Sequence, residues 1–343
     1  MKNKLLFTVL LFALLLIFAF PFQAFAQNDV TILNANGEAV FSFTLNSPDP
    51  AMRRVPGSIT TLRQRDAPEF FRQLAEYITE NSTCDFDRVK KAHDWVALNI
   101  RYDAQSYFSR QIPAQDANAV LRRGLAVCAG YAQLFKALLD TLEVENRIVH
   151  GYARGAGVRL FRSEDPMNTN HAWNIVTISG KQYLIDSTWN SGHLNGRNFV
   201  AEYRTAYLFI DPAILIFSHF PSDNRDQLLY PPISAETFVN LPFLEPDFFR
   251  TIQTYPELKK ITELAVGEEL TLEFSTIEGY NLAYVWYTDA DVIVGRAVFP
   301  GKRDVYSITV QHNRPGRFIL RIGTLRPGLR TVTYNGYFGF NVR

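Results

Sequence analysis

The pair Ser179-Gly180 constrains the fold of this 343-residue chain more than any other feature. It separates two apolar runs, 171–178 and 181–187, and its composition is that of a two-residue hairpin turn. Such a turn fixes register: Ile178 faces Lys181, Trp173 faces Asp186 and His171 faces Thr188. Opposed side chains project to the same face, and alternate positions along a strand share it. His171 and Asp186 are therefore diagonal neighbours on one face, within side-chain reach. A turn longer by two residues keeps this parity, whereas an odd insertion destroys it.

An imidazole held by a carboxylate is a general base, and Cys128 is the candidate nucleophile it would serve. Cys128 lies in the run Gly124-Leu125-Ala126-Val127-Cys128-Ala129-Gly130-Tyr131-Ala132, where a helical period begins that carries Tyr131, Leu134, Phe135, Leu138 and Leu142 on one side. A helix N-terminus favours the thiolate, the reactive form, through its unpaired N–H groups and dipole. Gly130 would let a substrate approach the backbone closely. The Cys128 main-chain N–H would help hold an oxyanion, a contribution of about 3 kcal/mol per donor. The alternative for Cys128 alone is a small buried hydrophobe. With Cys84, the only other cysteine, the alternative is a disulfide.

Two helices precede this run. One starts at Asp66, an N-cap followed by Pro68, and turns Phe70, Phe71, Leu74, Tyr77 and Ile78 to one side. The second spans about 85–99, with Val89, Ala92, Val96 and Ile100 as its inner stripe and Trp95 packed beneath it. A further strand is expected over 147–152. Helices followed by an antiparallel sheet describe an α+β domain. Beyond Pro231-Pro232 the composition changes: 234–241 reads as a short helix, and Pro242, Pro246 and Pro256 punctuate a linker. From about 258 onward, short strands alternate with turns. The clearest are 270–274, 282–287, 292–298, 306–310, 318–322 and 337–342, spaced as in an immunoglobulin-like β-sandwich.

The N-terminus follows a different logic. Lys2 and Lys4 precede an apolar run to Phe20, and Ala24-Phe25-Ala26 fits a signal-peptidase site, so residues 1–26 read as a secretory signal cleaved after Ala26; an uncleaved anchor helix is the alternative. The expected organisation is then a leader at 27–60 with two short strands around Asn36-Gly37, a catalytic domain at 61–232, a linker at 233–257 and a sandwich at 258–343. Removing the signal takes two lysines from 35 basic residues, leaving 33 against 34 acidic ones. That balance, with no basic stripe interleaved with aromatics, gives no reason to expect nucleic acid as a partner. No later run is long and apolar enough to span a bilayer, so no stable membrane insertion is expected after cleavage. A secreted, periplasmic or cell-envelope location follows as the expectation. The six histidines show no metal-ligand spacing, the glycines at 151, 155 and 157 match no phosphate-loop fingerprint, and neither a metal nor a cofactor is expected. The segment 154–169 reads as a loop rimming the site. Nothing in the composition speaks to oligomeric state.

The chain resembles the transglutaminase-like superfamily. The likeness is carried by the 124–132 run, by Asn170-His171-Ala172-Trp173-Asn174, by Ile185-Asp186-Ser187-Thr188-Trp189, and by Asn99-Ile100-Arg101-Tyr102-Asp103, covering about 65–200. A narrower likeness to the kyphoscoliosis peptidase family extends through Tyr207-Leu208-Phe209-Ile210-Asp211-Pro212, Phe217-Ser218-His219-Phe220-Pro221 and Asp226-Gln227-Leu228-Leu229. The resemblance implies a papain/transglutaminase-like core of helices on an antiparallel sheet and a cysteine–histidine–aspartate triad at Cys128, His171 and Asp186. It implies an upstream aromatic as oxyanion donor; Tyr102 is preferred over Trp95, with Gln105 and Gln115 as further candidates. His219 reads as a structural hydrogen-bonding residue beside Pro221. The expectation is a thiol enzyme that forms an acyl-enzyme from amide bonds of proteins or peptides, releasing it to water in preference to an amine. A peptide-binding adaptor without catalysis is the alternative.

Overall fold

A computed structural model describes residues 29–34, 36–155, 160–299, 305–326 and 328–343. The proposed signal segment and residues 156–159 of the 154–169 loop lie outside the described residues. The chain divides into a small unit ending at Thr44 and a large one from Leu45 to Arg343. Within the small unit, Asp29–Leu33 pairs antiparallel with Ala39–Thr44. The side chain of Asn34 accepts the N–H groups of Asn36 and Glu38, and Gly37 takes φ 79°, as the Asn-Gly turn signal demands.

In the large unit, the helix Ala67–Glu80 starts where Asp66 accepts the Glu69 N–H at 3.1 Å, and it buries Phe70, Phe71, Leu74 and Ile78. The helix Asp85–Asn99 carries the expected apolar stripe, and Trp95 packs 5.1 Å from Phe70. Its polar side is buried as well. Lys90 pairs with Asp94 at 2.5 Å, while Lys91 pairs with Asp87 and, at 3.2 Å, with Asp49. Residues 47–53, expected as part of a leader, lie against this side together with Tyr203, whose hydroxyl donates to Asp94. The Asp49 N–H donates to Asp94 at 2.7 Å, and Lys90 reaches the Ser47 carbonyl at 3.3 Å. The amphipathic pattern misses this cover because the contact is between polar groups.

The helix Cys128–Thr141 lies against a five-stranded antiparallel sheet in the order Leu208–Ile210, Lys181–Ile185, His171–Ile178, Asn146–Ala153, His219–Pro221. Ser179 and Gly180, at φ 50° and 77°, form the two-residue turn, and the ladder runs from Ile178↔Lys181 to Asn174↔Ile185 in the expected register. The central strand 171–178 is buried on both faces, between the helix layer and a cluster that includes Val149, Trp173, Ile175, Leu184 and Tyr207. Gly151 stands beside His171 on one side and Pro221 on the other; a Cβ there would lie 2.4 Å from the Phe220 carbonyl oxygen.

The expected linker is ordered structure instead. Residues 233–257 form the helices Ala235–Asn240 and Pro246–Thr251 and the strands Phe243–Leu244 and Ile252–Thr254. Pro246, read as punctuation, occupies the first helical turn, where its missing N–H costs nothing. Both strands extend C-terminal sheets. Phe243–Leu244 edges Thr333–Val342, which continues to Gly316–Leu325, Asn281–Thr288 and Ile293–Val298, with Ile261–Leu264 parallel to Thr333–Val342. Ile252–Thr254 edges Glu269–Thr276, which pairs with Tyr306–Gln311. The two sheets share one core that includes Phe248, Phe274, Tyr306, Ile322, Phe338 and Phe340.

Buried charge joins this region to the helix-and-sheet core. The Arg154 guanidinium donates to the carbonyls of Phe238 at 2.7 Å and Leu241 at 3.0 Å and stacks 4.2 Å from the Phe238 ring. Lys260 pairs with Glu164 at 2.5 Å.

Candidate active site

Three local structures bring the site together. The short parallel pairing of Arg101–Tyr102 with Leu125–Ala126 sets the chain entering the Cys128 helix, with the Asp103 N–H donating to the Ala126 carbonyl at 2.8 Å. Gln115 braces the same point by accepting the Val127 N–H at 3.0 Å. Cys128 is the first residue of its helix and half-buried, and both cysteines are free thiols. Gly130 does not open the backbone to substrate as expected: it is buried, and a Cβ there would lie 2.4 Å from Gln115 Oε1 and 2.8 Å from the Ala126 Cβ. The glycine makes room for the brace. Gln115, with its amide engaged in this way, is spent as a structural group.

His171 opens the central strand. Its Nε2 lies 2.6 Å from Asp186 Oδ2, leaving Nδ1 as the nitrogen for the sulfur, and the charges of Cys128 and His171 act on each other. The Asn170 carbonyl lies 3.9 Å from Cys128 Sγ. Asp186 leaves the ladder just after Ile185. Its own N–H goes to the Tyr207 carbonyl at 3.0 Å, and its Oδ1 accepts the N–H groups of Thr188 at 2.8 Å and Trp189 at 3.1 Å.

His219 occupies the other side of Asp186. Its Nε2 is 3.2 Å from Asp186 Oδ2 and its Nδ1 is 2.8 Å from Ser218 Oγ. The carboxylate can only accept, so the proton of the neutral His219 ring sits on Nε2 and is donated to Asp186. The sequence marked His219 as a hydrogen-bonding residue but gave no means of seeing that its partner is Asp186. The pairing requires the edge strand His219–Pro221 to align with Asn146–Ala153, a contact between distant segments.

The electrostatics follow from these contacts. Burial would raise Asp186, but the charge and hydrogen bond of His171, aided by His219, hold it well below the usual carboxylate range. Burial would lower His171, but the charges of Asp186 and Cys128 push it up to about 10. Burial works against a thiolate at Cys128, yet the charge of His171 outweighs it and holds the thiol below its ordinary value. Burial drives His219 down to about 4, so this second imidazole is neutral at physiological pH. The site therefore favours a thiolate–imidazolium pair over two neutral groups.

Tyr102 lines a cleft and pairs with Ala126, two residues before Cys128. Burial and the neighbouring sulfur hold its phenol well above its ordinary value, so it keeps its proton and remains a donor. Trp95 is 1% exposed, inside the core. Gln105 lines the same cleft as Tyr102. Ligand atoms of His171, Asp186 and His219 lie within 4.8 Å of one another. Two ligand atoms separated by 2.6 Å, as in His171–Asp186, would subtend only roughly 80° at a metal with bonds of roughly 2.0–2.1 Å, well short of a tetrahedral angle. The spacing is that of a hydrogen bond.

Residues 72–186 match the family model of the transglutaminase-like superfamily. The chain carries a transglutaminase-like domain. Kyphoscoliosis peptidase of Mus musculus is 29% identical over 205 residues, covering 59% of this chain and 31% of the relative, and the Homo sapiens protein aligns to the same extent. The alignment thus spans about a third of the length of these curated relatives. Among solved structures, red sea bream transglutaminase aligns over 90% of this chain and 69% of its own at 10% identity and a TM-score of 0.29. The matched segment of the transglutaminase-like domain ends at Asp186 and includes Cys128 and His171.

Proposed function

We propose that this protein is an exported thiol enzyme acting on amide bonds of proteins or peptides. Cys128 attacks the carbonyl carbon as thiolate. The His171 imidazolium gives its Nδ1 proton to the departing amine, and Asp186 holds the ring in place through Nε2. The acyl-enzyme is then cleaved by water, with His171 acting as base. Transfer to an amine instead would make the protein a transamidase; water is preferred as the ubiquitous acceptor. The Cys128 N–H and the Tyr102 hydroxyl are the oxyanion donors in this reading, and the C-terminal sheets, read as an immunoglobulin-like sandwich, bind or position the substrate.

The observation that carries the proposal is the 2.6 Å hydrogen bond between His171 and Asp186 beside a free cysteine at a helix N-terminus, whose sulfur lies 3.9 Å from the Asn170 carbonyl. Incubation with casein, with and without a fluorescent amine, tests it. Released peptides that disappear in Cys128→Ala support the hydrolase, and amine-labelled casein supports the transamidase. Absence of both products, with peptide binding intact, would favour a non-catalytic adaptor.

A further inference from the structure

A cleft of about 520 Å³ is lined by Tyr102 and by Leu125, and Tyr102 pairs with Ala126, two residues before Cys128. Two cations line the cleft. Arg101 lies in the strand paired with Leu125–Ala126, and its guanidinium sits 5.7 Å from the Phe199 ring. Arg197 lies between the paired strands Gly192–Asn195 and Asn198–Ala201, and its guanidinium sits 4.9 Å from the Phe108 ring. Stacking on a ring restricts a guanidinium without using its N–H donors, which lie in the plane available to a carboxylate. One acid, Asp103, lines the same cleft, but its carboxylate accepts the Ser106 N–H at 3.0 Å and caps the helix Ala104–Ser109. The lining therefore offers two held cations against one engaged anion, a few residues from the reactive sulfur.

We infer that this cleft binds a substrate segment bearing a carboxylate side chain, placing an acidic residue next to the amide presented to Cys128. The inference rests on the reading of Cys128 as the attacking group, and it supplies the substrate class which that reading leaves open. The aromatic walls take the aliphatic part of a glutamate or aspartate, and the two guanidiniums take its charge. A lysine at the same place would meet like charge.

Equilibrium binding to the full chain carrying Cys128→Ala separates this from the chemistry. The probes are capped hexapeptides identical except for Glu, Gln or Lys at one central position. The Glu peptide is expected to bind at least about tenfold more tightly than the Gln peptide at low salt, the scale of one charge-assisted hydrogen bond. The preference should vanish in Arg101→Gln/Arg197→Gln and shift toward the Lys peptide in Arg197→Glu. Equal binding of Glu and Gln peptides, a preference that survives the double substitution, or no binding by any peptide would overturn the inference. Alkylation of Cys128 in the otherwise unsubstituted protein reports independently on the thiol: normal reactivity beside absent peptide selectivity removes the acidic-substrate assignment alone, and an inert thiol beside strong Glu selectivity removes the enzyme reading alone.

Discussion

At the scale of single residues, Asp186 shows how many contacts are needed to keep one buried charge. It is 1% exposed and accepts from two backbone N–H groups and two imidazoles. The two histidines nevertheless shift in opposite directions: burial disfavours the charge of both, but Asp186 and Cys128 together outweigh it at His171, whereas at His219 burial and the charge of His171 prevail. This gives a pH dependence with a definite sign. The folded state refuses a proton at His219 until about pH 4, while the unfolded chain takes it near the ordinary value of about 6.5. Stability therefore falls as pH falls between those values. The His171 contribution has the opposite form: it is fully present below about 6.5 and is lost as pH rises toward 10. Urea unfolding between pH 4 and 7 should show a shallower acid loss in His219→Gln than in the unsubstituted protein. An unchanged slope would mean that His219 is not the buried neutral group described above.

At the scale of elements, the catalytic geometry is set by a turn. The two residues Ser179 and Gly180 fix the ladder that ends at Asn174↔Ile185, and this delivers Asp186 to the face of His171. One glycine inserted between them should reverse the facing of one strand and abolish the rapid alkylation of Cys128. Two inserted glycines keep the parity and should retain a substantial part of it, although the longer turn weakens the hairpin. Equal damage from one and two insertions, in proteins of equal helix and sheet content by circular dichroism, would contradict the register argument. This hairpin was legible in the sequence because its determinants are local: a turn dipeptide, a period and a count. The starts of the helices at Ala67 and Cys128 were legible for the same reason. The bracing of Val127 by Gln115 and the purpose of Gly130 were not, since both depend on a loop folding back onto the helix start.

At the scale of the whole molecule, residues 45–343 form one compact unit, and its least legible part is the join between the helix-and-sheet core and the C-terminal sheets. Prolines in 233–257 suggested a linker, yet Phe238, Leu244 and Phe248 are fully buried there. Arg154, Glu164 and Lys260 meet across the join, and no periodicity in the chain announces a pairing between residues so far apart. Lys260→Met should cost about 3–5 kcal/mol in urea unfolding, because it leaves Glu164 buried with only the more distant Arg154, whereas Lys260→Arg, which keeps the charge, should lose much less. Loss of similar size in both proteins would show that shape, and not charge pairing, holds the join. The central claim concerns a different convergence, in which segments around 128, 171, 186 and 219 assemble to ionise one sulfur. Its most direct test is the pH profile of iodoacetamide alkylation at Cys128, read by mass spectrometry. The account predicts rapid labelling that persists well below the ordinary thiol value of about 8.5, and a profile returned to that value in His171→Ala. A thiol that titrates at its ordinary value in both proteins would contradict it.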